Sequence, residues 1–263
     1  MQIEIIYDVS AGKNAENKYK GRNRYLEKIK GIDKALEITK KKMSLLEKEN
    51  KPKIEIKKKE ERNKDWFEKF KWFFTTNGFL VLAGRDAKNN EQLVKKYFSI
   101  NDLYFHADIH GAPHTLLLNP DKKEIQERDK EEAANFAAIH SSAWSSGTFS
   151  VDVYSVGYGQ VSKTAGSGES LGTGAFVIRG KRDYYKKIDL KIGVGFDSKR
   201  KVVISGPVSA ISFASKDFFT LVPGKIKKSD ICKELKDRFL KKSINVSIDD
   251  LMSNLPPGDC EIK

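Results

Sequence analysis

Cysteine and histidine are scarce in this chain of 263 residues, with two of the first and four of the second. Cys232 and Cys260 have neither the spacing of a metal-binding pair nor that of a redox pair, so they read as ordinary thiols. No apolar run approaches the roughly 20 residues that a membrane-spanning helix requires. The first residues, MQIEIIYDVS, lack the basic stretch and long apolar core of a secretory signal. The expectation is a cytosolic protein without a membrane span. Acidic residues are also in deficit: 36 stand against 49 basic ones, a net charge of +13. That balance favours a polyanionic partner such as nucleic acid, with an anionic membrane surface as the rival. The glycine-rich run GSGESLGTG at 166–174 lacks the Gly-Lys-Ser/Thr ending of a phosphate-binding loop. It leads into AFVIRG, which is strand-like, where such loops open a helix. No Gly-x-Ser-x-Gly elbow precedes a helix. Nucleotidase, dehydrogenase and serine hydrolase readings therefore fail, and no cofactor is expected.

The positive charge is concentrated at the start, where residues 1–65 carry 19 basic and 12 acidic side chains. Within them Tyr25, Ile29, Ile32, Leu36, Thr39, Met43 and Leu46 recur in alternating steps of four and three, the seam of a coiled-coil helix. The helix is expected to stop near Asn50, before Pro52. Such a seam must be buried against a second helix, and the charged stretch that follows supplies none of matching length. The expected partner is another chain, either a second copy or a separately encoded protein; a freestanding charged helix is the alternative.

From Trp66 onward the pattern is that of a packed domain. The apolar run Gly78 to Gly84 reads as a buried strand, and a helix follows it, capped by Asp86 or Asn89 and carrying Leu93, Val94, Tyr97 and Phe98 at helical spacing. Strands are expected at 102–109, 114–118, 149–156, 175–179, 188–196, 202–205 and 218–222, with helices at 129–144 and 229–241. Strands grouped around helices without strict alternation predict an α+β fold, a mixed sheet with packed helices, preceded by the basic coiled-coil helix. Trp66, Phe67, Phe70, Trp72, Phe73 and Phe74 read as a helix end docking on its own domain, or as a base-stacking platform.

Two clusters carry candidate chemistry. On a strand, His106, Asp108 and His110 share a face, as two imidazoles and a carboxylate that suit either a metal ion or mutual hydrogen bonding. A metal-dependent nuclease centred on these residues is one reading. Glycines near 166–174, flanked by Lys163, Arg179, Lys181 and Arg182, would let backbone N–H groups approach a phosphate.

Several stretches, in order, resemble one known family. Trp66 to Phe73 (WFEKFKWF), Gly84-Arg85-Asp86-Ala87 with Asn90-Glu91, His106 to Ala112 (HADIHGA), Ser142-Ala143-Trp144, and Gln160 to Ala165 (QVSKTA) through Gly180-Lys181 are similar to the NFACT-R domain. This is the RNA-binding domain of the NFACT proteins, the NEMF and fibronectin-binding-protein-A-like factors of ribosome-associated quality control. The segment from Asn14-Ala15 resembles the end of that family's coiled-coil arm. The resemblance implies binding to the large ribosomal subunit in the cytoplasm, with tRNA or rRNA as ligand and no enzymatic activity. It divides the chain into an arm segment, 1–65, an RNA-binding domain, 66–186, and an α+β extension, 187–263. The family's N-terminal domain is not in evidence, so a separately encoded N-terminal half is an expected partner of the seam. The expected phosphate ligands are Arg85, Lys163, Arg179, Lys181 and Arg182, with Thr164 beside them. Asp86, Asn89, Asn90, His106, Asp108 and His110 are expected to shape a polar pocket for a base or ribose.

Overall fold

The structure, a computed structural model, describes residues 7–48, 63–164 and 172–263. The glycine-rich residues 165–171 and the charged stretch 49–62 lie outside them. The chain divides into two compact units, one ending at Arg62 and the other spanning Asn63–Lys263. The first contains α1 (Ala11–Lys48), a helix of 38 residues. Its surface carries ion pairs at helical spacing, including Lys13 with Glu16 and Lys30 with Glu27. Tyr25, Ile29, Ile32 and Leu36 are each more than half exposed; the side chains of Met43 and Leu46 lie outside the description. The expected helix is present, but no coiled coil forms among the described residues, because the seam meets no second helix there.

The second unit begins with a 3-10 turn at Trp66–Lys69 and β1 (Lys71–Phe74), then β2 (Leu80–Ala83), α2 (Ala87–Tyr97), β3 (Leu103–Ala107), β4 (Thr115–Leu118) and α3 (Glu127–Ile139). It continues with β5 (Ser150–Gly157), the short β6 (Val161–Ser162) and β7 (Val177–Ile178), then β8 (Asp183–Asp189), β9 (Ile192–Asp197) and β10 (Val202–Gly206). Last come α4 (Val208–Ala214), β11 (Phe218–Ile226), α5 (Lys228–Lys241), α6 (Ile248–Asn254) and β12 (Cys260–Ile262). One sheet has the order β1-β2-β4-β3-β5-β8 and a second the order β10-β9-β11-β12.

Every pairing in these sheets is antiparallel, which corrects the expected mixed sheet. The α2 crossover does leave β2 and β3 parallel, as a strand-helix-strand unit requires. They are not neighbours, however, because β4 returns between them and hydrogen-bonds to both.

The central strands of the large sheet, β2, β4 and β3, are buried on both faces, which explains their continuous apolar runs, whereas the edge strand β8 is largely exposed. Successive residues serve different cores: Val81, Phe105 and Leu117 pack with α3 on one face, and Leu82, Tyr104 and Leu116 pack with Leu93 and Val94 of α2 on the other. The aromatic crowd follows the same rule. It is a turn and a strand rather than a helix end, with Trp72 turned to one core and Phe73 to the other. The stretch 188–196, expected as one strand, is two: β8 ends in the large sheet, and the chain crosses at Leu190 to begin β9 in the smaller one. Residues beyond 186 add Val194, Leu221, Ile231 and Leu235 to the α3-side core. Glu132 of α3 ties these parts together, its buried carboxylate accepting from Thr76 N (2.8 Å), Thr76 Oγ1 (2.6 Å) and Ser209 Oγ (2.7 Å).

Candidate functional site

A cleft of about 820 Å³ opens where the end of β2, the start of α2, the loop after β3 and residues 173–176 meet. Its frame is built at the start of α2. Asp86 caps the helix by accepting from Asn89 N (2.8 Å), and Asn89 Oδ1 accepts from Arg85 N (3.0 Å). Asn90 Oδ1 accepts from His114 N (3.1 Å) in the space left by Gly84, where an added Cβ would lie 1.9 Å from that oxygen. The Arg85 guanidinium donates to four carbonyls, Glu68 O (3.5 Å), Lys69 O (3.2 Å), Phe70 O (3.0 Å) and Ser253 O (3.2 Å), linking the turn before β1 to α6.

His114 and Glu91 hold Gly174 against this frame. His114 Nε2 donates to Gly174 O (2.7 Å), and its Nδ1 accepts from the Tyr104 hydroxyl. Burial first, and then the neighbouring His106, lower the His114 pKa to about 4, so the ring is neutral. Glu91 Oε2 accepts from Gly174 N (2.9 Å), and Glu91 is held down at about 2 by its bond from Lys95 first and then by that N–H. Gly174 has φ +77°, and a Cβ there would meet Ala87 O at 2.7 Å. Lys163 closes the arrangement, donating to Gly172 O (2.9 Å) and Ala175 O (3.1 Å), with Glu91 Oε2 at 3.6 Å. Its ammonium thus ties residues 172–175 to α2. Glu91 and His114 were not among the expected site residues, although Glu91 lay in a matching stretch.

His106, Asp108 and His110 do not form a facial set. The strand ends at Ala107, and a tight turn follows, in which Ile109 N donates to Ala107 O (2.8 Å). Alternation therefore stops, leaving Asp108 and His110 exposed. The His106 ring instead lies parallel to Tyr104 and 5.4 Å from His114. Burial lowers its pKa. Among the described residues, no group of three His, Cys, Asp or Glu side chains is placed to hold a metal ion. The nuclease reading loses its geometric basis.

The structure does bring His106 together with two tyrosines that sequence reasoning missed. His106 is opposite Tyr154, and Tyr154 is opposite Tyr184, in the registers of β3, β5 and β8, so the three rings share one sheet face. Their centroids are 5.8 and 6.0 Å apart. Arg182 lies 4.5 Å over the Tyr154 ring, and Lys186 lies 4.2 Å over Tyr184 while pairing with Asp152 at 2.8 Å. Beside this row, Arg179 and Lys181 are exposed, their carbonyls held by Gln160 Nε2 at 3.0 and 2.6 Å. Thr164 is exposed nearby, with Arg179 reaching its carbonyl at 3.5 Å. Among the described residues none of Arg85, Arg179, Lys181 and Arg182 pairs with a carboxylate. The far wall of the cleft carries Lys71, His140 and Lys228, also absent from the sequence-based set.

Residues 69–180 match the family described as "NFACT protein RNA binding domain". An archaeal Rqc2 homolog, aRqcH, from Methanocaldococcus jannaschii is 43% identical over 212 residues, which is 80% of this chain and 31% of that protein. The ribosome quality control complex subunit NEMF of Homo sapiens is 37% identical over 184 residues, 68% of this chain and 17% of NEMF. The chain thus spans less than a third of the length of either relative. Among solved structures, the C-terminal part of the fibronectin/fibrinogen-binding protein from Streptococcus suis aligns with a TM-score of 0.39 at 19% identity, covering 70% of this chain and 78% of that one.

Proposed function

Because the chain belongs to the NFACT family and carries its RNA-binding domain over residues 69–180, we propose that its second unit binds RNA along the exposed sheet edge of Arg179, Lys181 and Tyr184, beside the cleft that His106 lines. The observation that carries this reading is the pair of exposed cations Arg179 and Lys181, with which no carboxylate pairs among the described residues, beside the exposed ring of Tyr184, while Tyr154 next to it is buried. An exposed ring such as that of Tyr184 stacks on an unpaired base without regard to sequence, and guanidinium groups add charge and planar stacking. Arg179, Lys181 and Arg182 take phosphates along the strand edge. The cleft beside this edge takes an unpaired nucleotide, with Asn90 and His106 in its wall. By likeness to relatives named as ribosome quality control subunits, the RNA is tRNA or rRNA on the large ribosomal subunit, and the work is recognition rather than catalysis.

The stripe of Tyr25, Ile29, Ile32 and Leu36 supports a second contact, in which α1 pairs with another helix to complete a coiled coil. The partner is an N-terminal half of the factor or a second copy. Sedimentation of the chain alone separates these: a concentration-dependent dimer abolished by Ile29→Asp identifies the copy, and a monomer directs attention to the other half.

RNA binding is tested by titrating tRNA and large ribosomal subunits at two salt concentrations, comparing wild type with Arg179→Ala/Lys181→Ala/Arg182→Ala. Each lost phosphate contact should flatten the dependence of log K on log salt by about 0.7 to 0.9. Binding that ignores both salt and the triple substitution would refute the assignment.

A further inference from the structure

The cleft wall opposite the glycine loop holds a cluster that the sheet-edge reading leaves without a task. Lys71 begins β1, Lys228 begins α5, His140 follows α3 and Arg85 follows β2, and all four line the same cleft. Three elements far apart in sequence therefore bring basic groups to the end of a fourth. Lys71 and Lys228 are half-buried and His140 is buried. Lys71 Nζ lies 2.9 Å from His140 Nδ1. An amino group donating to Nδ1 leaves the imidazole proton on Nε2, and Nε2 is buried with no hydrogen-bond partner. Lys228 donates to Leu255 O (2.9 Å), and Arg85 is spread over main-chain carbonyls. Among the described residues no carboxylate pairs with Lys71, Arg85 or Lys228.

Uncompensated like charges gathered in a partly buried wall are costly unless something negative joins them. Packing alone does not explain the arrangement, because a Met or Leu at position 71 would fill the same volume without a charge to desolvate. Burial first, and then Lys228 and Arg85, lower the Lys71 pKa to about 7. An anion seated between these groups would restore the full charge of Lys71. Phosphate fits the wall better than a single carboxylate does, because its several oxygens can accept from separate ammonium groups at once. The volume of the cleft, about 820 Å³, leaves room for the rest of a nucleotide beside this wall, and the Phe176 ring also lines it.

We infer that Lys71, Lys228 and Arg85 form a phosphate-binding wall in the cleft, which seats the phosphate of an unpaired nucleotide and is separate from the cations along the sheet edge. The inference rests on the RNA-binding reading for the source of the phosphate, but not for the existence of the site. The test is calorimetric titration of the full chain with inorganic phosphate, with AMP and with a short single-stranded RNA, comparing wild type with Lys71→Met and, independently, Lys228→Met. Either substitution should weaken AMP and RNA about ten- to hundredfold, the worth of one charge-assisted hydrogen bond, while thermal unfolding shows the variant folded. Should one variant fail to fold, the other still decides. RNA bound equally well by wild type and both variants would overturn the phosphate wall and leave the sheet edge standing. AMP bound with dependence on Lys71 but no RNA bound would uphold the wall and overturn the RNA reading. Phosphate, AMP and RNA all failing to bind would overturn both.

Discussion

Gly84 offers a sharp test of how the cleft is framed. Its φ is not positive, so the backbone there would accept alanine without conformational strain. In open space Gly84→Ala would even stabilise the fold by about 0.4 to 1 kcal/mol, through the unfolded chain. The native structure predicts the reverse, because the new methyl would sit 1.9 Å from Asn90 Oδ1 and 2.9 Å from Asn90 N. Forcing that carbon in costs about 1 to 3 kcal/mol. Turning the Asn90 amide aside also leaves the His114 N–H without its acceptor, at about 1 to 3 kcal/mol for a buried donor. The net expectation is a loss of about 3 kcal/mol, or a fall of about 6 to 12 °C in Tm for a unit of this size. Urea and thermal unfolding followed by circular dichroism measure it. In an Asn90→Ala background the side-chain clash is gone and only the backbone approach remains, so the same substitution should cost less there, with a coupling of about 1 kcal/mol or more. Strictly additive losses, or an unchanged Tm for Gly84→Ala, would refute the account.

His114, neutral in the fold with its pKa lowered to about 4, takes up its proton in the unfolded chain near pH 6.5. Its contribution is therefore complete above pH 6.5, declines as pH falls towards 4, and amounts to about 3 kcal/mol over that window; His114→Gln should flatten the stability profile between those limits. Glu132→Ala removes the shared acceptor of Thr76 N, Thr76 Oγ1 and Ser209 Oγ, and should cost about 3 kcal/mol in urea unfolding, against about 1 kcal/mol for Glu132→Gln. Lys163→Ala cuts the clamp to Gly172 O and Ala175 O. Hydrogen exchange should then quicken at the Gly174 and Ala175 amides while those of β3 and β5 keep their protection; quickening throughout the sheet would show a global role instead.

Local signals in the sequence located most elements but not all their limits: the helix expected over 129–144 ends at Ile139. Asp86 does cap α2, and Leu93 and Val94 do turn to the core, because both features depend only on spacing within one helix. The strand β1 escaped notice since Trp72 and Phe73 are consecutive and both buried, which removes the alternation by which a half-exposed strand is recognised. The short α4, α6 and β12 carry too few residues to show a period. Among candidate site residues, Arg179 and Lys181 are exposed, whereas Lys163, which reads the same in sequence, donates to Gly172 O and Ala175 O. The row of His106, Tyr154 and Tyr184 is set by strand registers across about 80 residues of chain, and no short pattern announces it.

The same reasoning explains why the stretch that matches the family, residues 69–180, does not by itself make the cleft. Gly84, Asn90, Glu91, Lys163 and Gly174 all fall within it, and they contact one another or His114, so the recognisable signature is the frame. The opposite wall needs Lys228 and the carbonyls of Ser253 and Leu255, supplied by the segment beyond 186. That segment also covers the α3-side core with Val194, Leu221, Ile231 and Leu235. A chain cut after Lys186 would break β8 between residues of one strand, uncover those apolar neighbours and leave Arg85 without one of its anchoring carbonyls. It should therefore aggregate rather than bind nucleotides weakly. If instead residues 63–186 stay folded and take AMP as the whole chain does, the wall contributed by α5 and α6 is dispensable and the phosphate assignment to Lys228 falls with it.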